Sequence, residues 1–202
     1  MEIFNCEQGS DEWKRCRSAI ITASSMSKVL SSGKEALVRK KYMYELIGEI
    51  ITGEPAEMYS NKHMERGHEM EPVARQLYAD YTGVEAVQVG FIRNKFEDII
   101  LGYSPDSLIS HNGLMEAKSR LPHIQAELLD KGEIPSTVKA QLQTGLLVSE
   151  RGWIDYVSYW PGMPLFVKRQ YRDEKYIENI IAESKRFYDE MNEKINRIQR
   201  TA

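Results

Sequence analysis

The chain has 202 residues, 42% hydrophobic and 9% aromatic, with a formal net charge of −3; this suits one globular domain and excludes a protein that coats nucleic acid by bulk charge. Two cysteines, Cys6 and Cys16, are too few for a disulfide scaffold, a zinc ribbon or an iron–sulfur cluster, so a reducing, cytoplasmic setting is expected. The start lacks a basic stretch leading into an apolar run and no segment approaches eighteen apolar residues, so neither secretion nor membrane insertion is expected.

In the absence of repeats, low-complexity tracts or a Pro/Ser-rich linker, 1–202 reads as a single domain. From Lys14 to Lys41 the chain carries Lys14, Arg15, Arg17, Lys28, Lys34, Arg39, Lys40 and Lys41 against Glu35 alone. A local patch of this kind can grip a polyanion, although a solvated helix surface accounts equally for residues 39–41. Thr22 or Ser24 can cap a short helix ending at Leu30. The next helix, 35–52, places Leu37, Val38, Tyr42, Leu46, Ile47 and Ile50 on a core face and stops at Gly53.

A second long helix is predicted over 61–81, ended by Gly83 and bent by Pro72. In it Gly67, Glu71 and Arg75 recur every four residues and share a face. Glu71 could reach a metal from there, or could simply form an exposed ion pair with Arg75. Strands are expected at 84–93, 99–103 and 114–119, with His111-Asn112-Gly113 as the tight turn of an antiparallel hairpin. Helices follow at 122–131 and 136–148, the second with a cap-like Ser136 after Pro135. Strands at 153–160 and 164–171 then flank the turn Pro161-Gly162, and a charged helix spans 174–200. The order predicts an α/β fold with a mixed, partly antiparallel central sheet flanked by helices.

The chemistry lies in Tyr103-Ser104-Pro105-Asp106 and, after nine residues, Glu116-Ala117-Lys118. Glu116 and Lys118 are two apart and project from one face of a strand, and the hairpin brings Asp106 to the same place. Both acids follow apolar strand residues, which sets the pattern apart from a chance run of charges. Two carboxylates and the Ala117 carbonyl are the hard oxygen ligands that Mg²⁺ or Mn²⁺ prefers, and two ions can stabilise attacking and leaving oxygens. Lys118 beside them could orient water, accept its proton or offset phosphate charge. Gln141 and Gln143 lie in an otherwise apolar helix and need polar partners, either at the site or within the fold. Trp13, Trp153 and Trp160 could stack on bases or fill the core. His63, His68, His111 and His123 lack zinc-type spacing.

Taken in order, these motifs resemble the lambda exonuclease family, the YqaJ-like viral recombinases of the PD-(D/E)XK nuclease superfamily. The resemblance begins at Glu7-Gln8-Gly9-Ser10-Asp11-Glu12-Trp13 with Arg17 and Ile21-Thr22-Ala23-Ser24. It continues through Gly67 to Glu71, Ser104-Pro105-Asp106, Glu116-Ala117-Lys118 and Gln141-Leu142-Gln143, and returns at Arg172-Asp173-Glu174-Lys175-Tyr176. It implies a restriction-endonuclease-like core and a Mg²⁺-dependent 5′→3′ exonuclease that leaves a 3′ overhang on duplex DNA for a single-strand annealing partner. Asp106, Glu116, the Ala117 carbonyl and Glu71 would hold two ions, Lys118 would serve the water, and Gln143 would position that lysine or the phosphate. Arg17, Ser24 and Ser104, with Gln141 nearby, would receive the 5′-phosphate and the DNA, in a homotrimer threaded by the duplex. The alternatives are a structure-specific or nicking endonuclease of the same fold, or an inactive DNA-binding scaffold, against which the retained acids and Lys118 speak.

Overall fold

The computed structural model describes residues 1–55 and 62–200; the expected helix start at 61 and the side chains of His63 and His68 lie outside them. Strand β1 (Glu2–Phe4) leads into helix α1 (Asp11–Arg17), whose first turn is closed by Ser10 Oγ accepting the Trp13 amide at 3.2 Å. Strand β2 (Ile21–Thr22) passes through a 3₁₀ turn at Ala23–Ser25 into α2 (Met26–Val29). Neither Thr22 nor Ser24 caps this helix; their hydroxyls face each other at 3.3 Å.

Helix α3 (Ala36–Thr52) ends at Gly53, whose φ of 72° supplies the left-handed stop the sequence announces. Its inward face is Tyr42, Met43, Leu46 and Ile47, whereas Leu37, Val38 and Ile50 are exposed. The expected apolar face is therefore broader than the buried one: Leu37 lies about half a turn from Leu46, and Val38 and Ile50 lie near the two ends of the helix. Helix α4 (Lys62–Thr82) runs on through Pro72.

The expected strand at 84–93 is two strands. β3 (Ala86–Val87) and β4 (Phe91–Phe96) enter different sheets, and Gly90 marks the break. A Cβ at Gly90 would collide with the backbone of Cys6, so the N-terminal segment can cross only over a glycine. β5 (Ile99–Tyr103) pairs antiparallel with β4; the hairpin partner of β7 (Gly113–Lys118) is instead a short strand the sequence reading lacked, β6 (Ser107–Ile109).

Helix α5 (Pro122–Lys131) follows, and a 3₁₀ turn at Ser136–Val138, not a Ser136 side-chain cap, opens α6 (Lys139–Ser149). β8 (Trp153–Ser158), β9 (Phe166–Tyr171) and α7 (Glu174–Gln199) complete the described chain. Asp173 caps α7 by accepting the Tyr176 amide at 3.1 Å.

The strands form a four-stranded sheet in the order β1-β4-β5-β2 and a five-stranded sheet in the order β3-β6-β7-β8-β9, so the expected mixed sheet is divided in two. β7 and β8 are parallel at the centre of the larger one, as their connection through two helices requires. Helix α6 lies across both sheets, against β4, β5 and β8. Its apolar residues Leu142, Leu146 and Val148 join Leu101, Leu114, Ile154 and the inner face of α7 in one core. Helix α4 covers the opposite face of β7 and β8 through Ala74 and Tyr78. Among the described residues no helix is long and apolar enough to cross a membrane.

Candidate active site

The β6–β7 register pairs Ser107 with Met115, so one further step sets Asp106 opposite Glu116. Asp106 closes the strand end itself, accepting the Ala117 amide on Oδ2 at 2.6 Å. Glu116 and Lys118 share a face of β7, and Lys118 Nζ donates to Glu116 Oε1 at 2.7 Å. The sequence expectation that these three residues converge is met, through β6 rather than through β5.

Glu116 is 1% exposed, and its two oxygens accept from three donors. Oε1 takes Gln141 Nε2 at 2.5 Å as well as Lys118, and Oε2 takes the Tyr103 hydroxyl at 2.9 Å. Gln141 thus belongs with the acids rather than with a phosphate pocket. Gln143, expected beside Lys118, is turned away: its amide donates to the Tyr171 carbonyl and accepts the Asp173 amide, each at 2.9 Å, which ties α6 to the start of α7. Two positions along a helix are 200° apart, so only one of these amides can face β7.

Burial raises the Asp106 carboxyl well above its ordinary range, and repulsion from Glu116 and Glu71 adds to this against the pull of Lys118 and the Ala117 amide. Burial works against the Lys118 charge, but attraction from Glu116 and Asp106 outweighs it and leaves the ammonium above its ordinary value. Burial and the neighbouring acids likewise keep the Tyr103 phenol protonated, so it donates.

Glu71 reaches this region from α4. Arg75 Nη2 donates to its Oε1 at 2.5 Å and to the Asp106 carbonyl at 3.3 Å, while Arg75 Nε holds Ser107 Oγ at 2.9 Å. The Glu71–Arg75 pair exists, but it is largely buried against the acid loop rather than solvated. Sequence reading gave Arg75 no role beyond that pair. Glu71, Gly67 and Ala74 face Ala117 and Lys118 across a small cavity.

Among the described residues no three His, Cys, Asp or Glu side chains stand ready-made at metal-ligand spacing. The chemistry nevertheless fits a hard cation: Asp106 and Glu116 are adjacent, oxygen-bearing and mutually repulsive, and a divalent ion would relieve that repulsion.

A second cluster adjoins the first. Arg17, in the last turn of α1, donates from Nη1 to Ser104 Oγ at 2.7 Å and from Nη2 to Ser24 Oγ at 3.4 Å. Its guanidinium stacks 4.1 Å from the Trp13 ring, and Trp13 Nε1 also donates to Ser104 Oγ at 2.9 Å. The expected trio of Arg17, Ser24 and Ser104 is therefore gathered, with Trp13 as an unforeseen fourth member. Burial brings the Arg17 pKa down to about 10, which leaves it cationic at neutral pH. A cleft of about 500 Å³ opens beside it, lined by Lys14, Lys28 and Lys41 with Glu45 and Glu49. The other tryptophans carry stacked arginines, Arg169 on Trp153 and Arg66 on Trp160, and His111 and His123 are exposed.

The pattern of the YqaJ-like viral recombinase domain matches residues 12–152. No curated protein is significantly similar to the chain. Among solved structures, the alkaline exonuclease LHK-Exo of Laribacter hongkongensis is 32% identical, with a TM-score of 0.86 over 95% of this chain and 97% of that one. The same protein in complex with dAMP gives a TM-score of 0.87 at the same identity and coverage. A phage-related exonuclease from Haemophilus somnus shares the fold at 16% identity, with a TM-score of 0.60 over 90% of this chain and 99% of that one. The match over residues 12–152, together with likeness to LHK-Exo along almost the whole length, places the chain in the YqaJ-like viral recombinase family, with its restriction-endonuclease-like fold.

Proposed function

We propose that this protein is a Mg²⁺-dependent exonuclease, with Mn²⁺ able to substitute, that digests one strand of linear duplex DNA from the 5′ end and leaves a 3′ overhang. Membership of the family and likeness to an alkaline exonuclease support nuclease activity. The observation that carries the finer reading is the joining of two clusters by one short stretch. Ser104 sits with Arg17, Ser24 and Trp13, while Asp106 sits with Glu116 and Lys118. Two residues of extended chain span at most roughly 7 Å, so a phosphate held at Arg17 and a phosphodiester at Asp106 would be separated on the scale of one nucleotide. That spacing suits removal of terminal mononucleotides better than internal cutting.

Asp106, Glu116 and the Ala117 carbonyl, with Glu71 assisting, would hold two cations, which when bound make water a stronger nucleophile and offset charge on the scissile phosphate. Gln141 and Tyr103 orient Glu116, Lys118 presents a cation at the carboxylate edge, and the Arg17 guanidinium offers a fork matched to phosphate oxygens. The further reading includes a homotrimer around the DNA, action inside the cell and a single-strand annealing protein as the taker of the overhang.

Linear and covalently closed circular duplexes, incubated with Mg²⁺ or with EDTA, test this reading. Digestion of the linear form alone, abolished by EDTA, is expected; cutting of the closed circle would establish an endonuclease instead. Arg17→Ala should lose the preference for a 5′-phosphate over a 5′-hydroxyl on one duplex. A hydrogen bond to a charged group contributes about 1.5–3 kcal/mol, or roughly 10–150-fold. Undiminished preference in the variant would remove Arg17 as the end reader.

A further inference from the structure

Tyr103 is 1% exposed and sits at the end of β5, a strand of the other sheet from Glu116. Its hydroxyl nonetheless reaches Glu116 Oε2 at 2.9 Å, while Lys118 and Gln141 hold Oε1. The two oxygens are therefore fixed by donors from three elements, β5, β7 and α6. Gly145 provides the room: a Cβ there would lie 2.9 Å from Tyr103 Cζ and 3.0 and 3.2 Å from the Cε carbons. Those distances are tighter than packed side chains tolerate, so a Cβ there would make the ring give way. An alanine at 145 would push the phenol away from the carboxylate.

We infer that Tyr103 is a positioning residue for Glu116 and that Gly145 is the packing condition that lets it act. The inference rests on the reading of Glu116 as a cation ligand. A glutamate side chain with both oxygens already held has little rotational freedom left to lose when a cation arrives, so the site binds metal with its ligand preset. Outer partners of ligating carboxylates typically change metal affinity by about 10–100-fold when removed. A tyrosine that only filled the core would leave metal affinity unchanged on loss of its hydroxyl.

The test is Mn²⁺ titration of the metal-free wild type, Tyr103→Phe and Gly145→Ala by calorimetry, with melting curves in EDTA and DNA digestion across a Mg²⁺ series. Tyr103→Phe is expected to weaken Mn²⁺ binding by about 10-fold or more and to raise the Mg²⁺ concentration for half-maximal rate, with much of the rate recovered at high Mg²⁺. Gly145→Ala should change metal binding in the same direction without altering any polar group, and it carries the test if the phenylalanine variant folds poorly. Equal Mn²⁺ affinity in wild type and Tyr103→Phe, while the wild type binds metal and digests DNA, overturns the positioning role alone. A wild type that neither binds Mn²⁺ nor digests DNA overturns the metal-site reading and this inference together.

Discussion

Asp106→Asn should yield a protein that digests no DNA yet melts higher than the wild type when both are free of metal. The Asp106 carboxyl is held above its usual value first by burial and then by Glu116 and Glu71. An acid whose folded pKa is raised contributes its full stability below the unfolded value, about 3.9, and that contribution is lost as pH rises through the folded value. At neutral pH an ionised Asp106 therefore weighs against the fold. Asparagine removes the charge and keeps an oxygen to accept the Ala117 amide, which Asp106 now does at 2.6 Å. Removing such a destabilised functional group typically gains about 0.5–2 kcal/mol, or a few degrees in Tm for a chain of this size. The gain should shrink as pH falls through the folded value and on past the unfolded one, about 3.9, below which the wild-type carboxyl is protonated in both states. Millimolar Mg²⁺ should raise the wild-type Tm and leave the variant nearly unmoved, because ligand that binds only the folded state stabilises it. Full digestion by Asp106→Asn would show that this carboxylate is not a ligand, and a lower metal-free Tm at neutral pH would show that its charge does not weigh against the fold.

The convergence of Asp106, Glu116 and Lys118 was legible in the sequence because strand periodicity is local: two residues apart means one face, and a short hairpin brings the preceding acid alongside. The identity of the hairpin partner was not. Ile99–Tyr103 has a stronger strand signal than the three residues of β6, yet β5 pairs with β4 in the other sheet, a choice set by tertiary packing. The same limit confused the glutamines. A helix pattern says that residues 141 and 143 face different ways, but only the placement of α6 across both sheets decides that Gln141 meets Glu116 and Gln143 meets Tyr171. Leu37 and Ile50 were assigned to a core that α3 does not bury, since apolarity records a capacity for burial and not a neighbour. Tyr103 has no role in the sequence beyond ending a strand before the acid, because the room it uses is created by a glycine forty-two residues later.

Lys118→Met is expected to cut the rate at saturating Mg²⁺ by about 10²–10³-fold, the usual cost of deleting one preorganised charge stabiliser, equivalent to about 2.7–4 kcal/mol. Methionine keeps most of the apolar stem, and Glu116 would still accept from Gln141 and Tyr103. Lys118 is 29% exposed, so the stability lost with it should fall below the about 3–5 kcal/mol typical of breaking a fully buried pair. The metal-free protein can therefore be checked for folding before its rate is measured. The lysine could act by holding charge or by taking a proton from water. In the metal-free protein Glu116 and Asp106 hold it as an ammonium, and cations bound to those same acids would oppose that hold. Lys118→Arg separates the two: arginine keeps the positive charge but cannot serve as a base. An electrostatic role predicts that Lys118→Arg retains clearly more activity than Lys118→Met under identical Mg²⁺ and pH. Equal losses in the two variants would instead assign proton transfer to this side chain.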